Sequence, residues 1–139
     1  MKCYLFLVSL IFAGYVSAQE PTFSAGSKVF VENTSKNENV INTVQELLKR
    51  LNEWDHWQVV PTAEEADFKI SIDVTASKGI TLTSWGGTSY VMVAKLIDKK
   101  NEVLWESNAY KSSPNGTNGF NSGRAVVKKL MRDLKRKFT

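Results

Sequence analysis

Phe68-Lys69-Ile70-Ser71-Ile72-Asp73-Val74-Thr75 is the stretch on which the fold turns. Apolar and polar residues alternate through it with a period of two, the pattern of a strand with one face buried and the other wet. A sheet built from such strands needs a cover on one side only. Downstream, Tyr90 to Ile97 and Val103 to Lys111 read as two further strands. The segment between them, Asp98-Lys99-Lys100-Asn101-Glu102, is polar and of hairpin length, so the two should pair antiparallel. Upstream lie two shorter strands: Trp57 to Val60, stopped by Pro61, and Val29-Phe30-Val31, ended by Asn33-Thr34-Ser35.

Two segments have the helical period that can supply the cover. Val40, Ile41, Val44, Leu47, Leu48, Leu51 and Trp54 recur at steps of three and four, predicting a helix from about 38 to 53. Ser35 and Glu38 stand at capping-box spacing ahead of it. Val126, Val127, Leu130, Met131, Leu134 and Phe138 mark a second helix from about 122 to 137. The order βαββββα predicts an α+β fold, a two-layer sandwich. Its mixed, mostly antiparallel sheet of about five strands has two helices on one face. The chain has 139 residues, 42% of them hydrophobic and 23% charged, which fits one soluble domain and excludes collagen, coiled-coil arrays and disorder.

The first 18 residues stand outside that domain. Lys2 precedes the apolar run Leu5 to Val16, and Val16-Ser17-Ala18 presents small residues where a signal peptidase cuts. Twelve residues rise only about 18 Å as a helix, against a hydrocarbon core of about 30 Å, so an export signal is the better reading than a span. Residues 19–139 then form a single secreted or periplasmic domain. Cys3, the chain's one cysteine, leaves with the signal and sits too early to take a lipid. The mature domain has no disulfide, no thiolate-ligated zinc and no cysteine nucleophile.

Residues 76–88, with Trp85-Gly86-Gly87, and residues 112–123, with Asn115-Gly116-Thr117-Asn118-Gly119-Phe120, are too long for simple turns. If strands 68–75, 90–97 and 103–111 form a meander, both connections leave from one end of the sheet, where the final helix also starts. Trp85, Phe120 and Arg124 are therefore the candidate partner-binding rim, with the two aromatics as apolar contacts and Arg124 as the anion partner. Gly116, Gly119 and Gly123 lack the Gly-Lys-Ser/Thr of a phosphate loop, which removes that route to nucleotides.

Nothing in the sequence favours a catalytic constellation, although paired carboxylates form in space and are not read from spacing. His56 is the single histidine, placed where the first helix ends and suited to capping or exposure. No Gly-x-Ser-x-Gly elbow presents a serine. Glu64, Glu65 and Asp67 lack calcium-loop spacing and read as a solvated connection. No enzyme, cofactor or metal site is expected.

Charge is concentrated at one end. The chain's formal charge is +4, and residues 124–137 hold Arg124, Lys128, Lys129, Arg132, Lys135, Arg136 and Lys137 against Asp133 alone. Lys128, Lys129, Arg132 and Arg136 are the candidate polyanion-binding residues, for anionic lipid head groups or an acidic partner. Export makes nucleic acid the least suitable polyanion. Asn33-Thr34-Ser35 and Asn115-Gly116-Thr117 match the N-glycosylation sequon, which has meaning only in a eukaryotic source.

Two phrases add a resemblance. Glu65-Ala66-Asp67-Phe68-Lys69-Ile70 is an acidic turn entering a strand, and Ala94-Lys95-Leu96-Ile97-Asp98 leads through a turn to Glu102-Val103-Leu104-Trp105. In this the chain resembles a loose group of bacterial envelope domains. The group comprises the amino-terminal domain of TolB, the curli-secretion lipoprotein and the lipoprotein activators of penicillin-binding proteins. The resemblance spans most of residues 28–138 and implies an α/β envelope domain that contacts a protein or the cell wall without catalysis. The chain departs from the group in having no lipobox and no propeller after the domain, so neither pore formation nor Tol-type coupling carries over.

Overall fold

The computed structural model describes residues 23–33, 35–78, 88–113 and 121–139. Its elements run β1 (Lys28–Glu32), α1 (Glu38–Trp54), β2 (Gln58–Val59), β3 (Phe68–Lys78), β4 (Thr88–Asp98), β5 (Val103–Glu106), β6 (Tyr110–Ser112) and α2 (Ser122–Phe138). The sheet has six strands in the order β2-β1-β3-β4-β5, with β6 also on β4. β1 pairs in parallel with β2 and with β3, and the remaining pairs are antiparallel. The α+β sandwich expected from the alternation is the fold observed.

The alternation of β3 is physical. Phe68 and Ile70 are buried under the helices, while Lys69 and Ser71 lie on the open face. Val29 and Val31 of β1, Tyr90, Met92, Ala94 and Leu96 of β4, and Tyr110 of β6 complete the strands' buried contribution to the core. α1 covers it with Val40, Val44, Leu47 and Leu51; α2 covers it with Val126, Val127, Leu130, Met131 and Leu134. At one end Trp57 packs edge-on to Phe68 at 4.9 Å and Phe138 lies 5.3 Å away, closing the core with aromatic rings.

Three local expectations are corrected. The cap of α1 is Asn37, not Ser35: the Asn37 side chain accepts the Asn39 N–H at 2.9 Å, and Ser35 Oγ accepts the Asn37 N–H one step earlier. An asparagine adjoining the helix outcompetes a serine two residues upstream because its carbonyl oxygen reaches the orphan amide directly. The strand expected over 103–111 is broken into β5 and β6. Ser107 Oγ takes the Ala94 N–H at 2.9 Å, so a side chain replaces the ladder carbonyl and the register shifts. His56 does not cap α1. Asp55 does so in the left-handed conformation (φ 54°), its N–H donating to the Leu51 carbonyl.

Turn chemistry fixes the meander. Asp98 Oδ1 accepts the N–H groups of Lys100 and Glu102 at 2.8 and 2.9 Å, and Asn101 adopts φ 64°. At the start of β3, Asp67 Oδ2 accepts the Lys28 N–H at 2.8 Å, which ties the carboxylate of the acidic connection to the first residue of β1. Because β2 has only two residues, the segment 60–67 is long enough to pass β1 and re-enter on its far side.

Candidate functional site

α2 is capped by Asn121, whose Oδ1 accepts the Arg124 N–H at 3.0 Å. Its apolar stripe is spent on the core, so the opposite face is left to solvent. That face presents Arg124, Lys128, Arg132, Lys135 and Arg136, all exposed. Residues at steps of three and four lie one turn apart, so Arg124, Lys128, Arg132 and Lys135 form a row rising about 16 Å along the axis.

The four sequence-derived polyanion candidates divide by environment. Lys128 is exposed and has no ionic partner among the described residues. Lys129 is half-buried, and its Nζ donates to the Lys111 carbonyl on β6, so it ties the helix to the sheet edge. Arg132 Nε and Arg136 lie 3.6 and 3.3 Å from Asp133 Oδ1, with their side chains 70% and 77% exposed. Contacts that exposed contribute little to stability and leave the guanidinium groups able to meet an outside anion. Sequence reasoning missed Lys135 as a member of the row, although its i+11 spacing from Arg124 was the available signal.

Asp133 itself faces inward. Its Oδ2 accepts the Tyr110 hydroxyl at 2.7 Å, and both residues are buried. Burial, and then the hydrogen bond to the Asp133 carboxylate, push the Tyr110 hydroxyl well above its ordinary value.

The register brings the rim's flanking residues together. Lys78 pairs with Thr88 and Tyr90 with Ser112, while Ser89 Oγ and Ser113 Oγ are 3.3 Å apart. The ends of both long connections therefore lie at one end of the sheet, beside the start of α2. Trp85 and Phe120 fall outside the described residues. Arg124 holds Glu46 of α1, Nε to Oε2 3.6 Å, and Glu46 also accepts from Arg50 Nε at 2.7 Å. His56 is stacked on Trp54 at 4.7 Å, far along α1 from this end. Among the described residues no group of three or more His, Cys, Asp or Glu is placed to hold a metal ion. No described helix is long and apolar enough to cross a membrane.

No family model matches the chain, and no curated protein matches it in sequence. Solved structures do match. A point variant of the PelC dodecamer from Paraburkholderia phytofirmans superposes with a TM-score of 0.57 at 16% identity, over 82% of this chain and 88% of that one. The XCC0632 protein of Xanthomonas campestris gives 0.54 at 11% identity, over 84% and 85%. A minor lipoprotein of Acinetobacter baumannii gives 0.51 at 12%, over 81% and 90%. What these share with the chain is the fold. One of the three is a lipoprotein, and at such identities no residue role transfers from any of them.

Proposed function

We propose that this chain is an exported, non-catalytic binding or assembly module of the bacterial envelope that docks through charge, using the outward face of α2. One observation supports this above others: a single helix presents four exposed cations in one row while its apolar face is locked in the core. An amphipathic helix that inserts into lipid needs its apolar face free. α2 has none to offer, so its contact with an anionic lipid surface or other polyanion is ionic and lies flat. The fold shared with a bacterial minor lipoprotein and the export signal read at residues 1–18 support the location. The finer kinship with TolB, curli-secretion and penicillin-binding-protein activator domains belongs to the same proposal. It is supported by the two phrases that contain Asp67 and Asp98.

Retention on heparin and on vesicles containing anionic lipid tests the reading. Lys128 and Lys135 are the residues to reverse, because Lys129 holds the sheet edge and Arg132 and Arg136 neighbour the buried Asp133. At about 1 kcal/mol per cation near an anionic surface, Lys128→Glu with Lys135→Glu should weaken retention by about 30-fold or more. Wild-type binding should fall steeply with added salt. Unchanged retention in the double variant overturns the polyanion reading.

A second reading is favoured by the register at the rim. There Trp85, Phe120 and Arg124 would engage a protein or cell-wall partner beside the start of α2. Crosslinking and pull-down from the native envelope should lose a specific partner with Trp85→Ala or Phe120→Ala, at any salt. Retention of that partner in both variants removes the rim.

A further inference from the structure

At the end of the helical layer nearest the rim, a groove of about 400 Å³ runs along the seam between α1 and α2. Its α1 wall presents Asn39, Asn42 and Gln45 together with the charged pair Glu46 and Lys49; Asn121 and Arg124 stand opposite, and Tyr90 of β4 also lines it. Gly123 lets α2 start close against α1: a Cβ there would lie 3.0 Å from Thr43 Oγ1 and 3.3 Å from Asn121 Oδ1, so one of those side chains would have to move by a few tenths of an ångström. Glu46, half-buried, is held between Arg50 and Arg124. The Arg124 side chain meets Glu46 through Nε at 3.6 Å and remains 67% exposed, so the guanidinium is open to solvent at the mouth of the groove.

The lining selects the ligand's chemistry. Side-chain amides offer a donor and an acceptor from one planar group, which suits hydroxyl and acetamido substituents. The guanidinium presents paired donors that match a carboxylate. A peptide is poorly served. Extended peptides are recognised by an unpaired sheet edge and helical ones by an apolar groove, whereas this groove has polar walls and an α1 backbone already spent in its own hydrogen bonds. We infer that the seam groove is a binding site for a carboxylate-bearing oligosaccharide, with Arg124 taking the acid, the amides of Asn39, Asn42 and Gln45 taking the hydroxyl and acetamido groups, and Asn121 offering only its amide N–H donors while its Oδ1 caps α2. This goes beyond the ionic row on α2, which does not need the amides.

Titration of the purified chain with a trimer of galacturonic acid tests it, with a neutral N-acetylglucosamine trimer and an acidic tripeptide alongside. Binding of the acidic trimer should be saturable, with a Kd below about 1 mM. Asn42→Ala with Gln45→Ala alters only exposed side chains, so the melting temperature should hold while affinity falls about tenfold, the loss of one or two hydrogen bonds. Lys128→Glu with Lys135→Glu should leave this binding within about twofold while weakening vesicle retention by about 30-fold or more, which separates the groove from the row. The inference is overturned if the acidic trimer does not saturate, if the amide variant binds as wild type does, or if the tripeptide binds more tightly than the sugar.

Discussion

Met92→Ala is expected to lower the free energy of unfolding by about 2–4 kcal/mol, while Val91→Thr, one residue away, changes it by less than about 0.5 kcal/mol. Met92 is fully buried on the helix-covered face of β4, paired across the sheet with Val74 and Tyr110. Truncation removes transfer energy and leaves a cavity that the surrounding Leu and Val side chains cannot refill without leaving their rotamers. Val91 points to the other face and is 37% exposed. Urea unfolding of the two variants decides whether the sandwich has two layers in solution. Net stability for a domain of this size is about 5–15 kcal/mol, so the Met92 effect is a large fraction of the whole. Equal costs at the two sites would show the open face of the sheet to be covered as well, contrary to the two-layer fold acting alone.

The difference between these neighbours was legible in the sequence, because alternation along Phe68 to Thr75 assigns faces once one strand is placed. The helices were legible for the same reason: Val40, Val44, Leu47 and Leu51 repeat at helical steps, and those positions are buried. What periodicity does not encode is competition between a side chain and the backbone. Ser107-Asn108-Ala109 sits inside a run that reads as one strand, and the Ser107 hydroxyl ends it by bonding Ala94. The poor strand propensity of those three residues was the only hint. Strand order was also hidden. Nothing in residues 57–60 says that β2 takes the outer side of β1 and leaves the inner side to β3, since that depends on packing after α1 has crossed. At the candidate surfaces, the cationic row could be counted from sequence. The seam groove could not, because Asn42 and Gln45 belong to one helix and Asn121 to another, and nothing in the spacing of either announces that they meet.

Asp133 shows the same limit and leads to a measurement. By composition it is the lone acid in a basic helix, yet it lies at i+3 from Leu130 and i+7 from Val126, on the flank that turns inward. There it receives the Tyr110 hydroxyl at 2.7 Å and joins α2 to the broken edge strand. Tyr110→Phe keeps the ring and deletes the one hydroxyl. A hydrogen bond to a charged acceptor contributes about 1.5–3 kcal/mol, so the variant should lose that much at pH 7, with a melting point lower by roughly 5–15 °C. The Tyr110 hydroxyl is held above the ordinary tyrosine value of 10.0, first by burial and then by the hydrogen bond and the negative charge of Asp133. The native state therefore keeps this proton more tightly than the unfolded chain. The resulting stability is fully present below about pH 10 and is lost as the pH climbs beyond it. Wild type should accordingly lose stability from pH 9 to pH 11 more steeply than Tyr110→Phe, and the gap between them should narrow. Tyr90, raised by burial alone, is present in both proteins and cancels in the comparison. Urea midpoints at the two pH values read the difference directly. Parallel slopes would mean that the hydroxyl does not stay on Asp133 in solution, and that α2 is held to the edge strand by packing and the Lys129 contact alone.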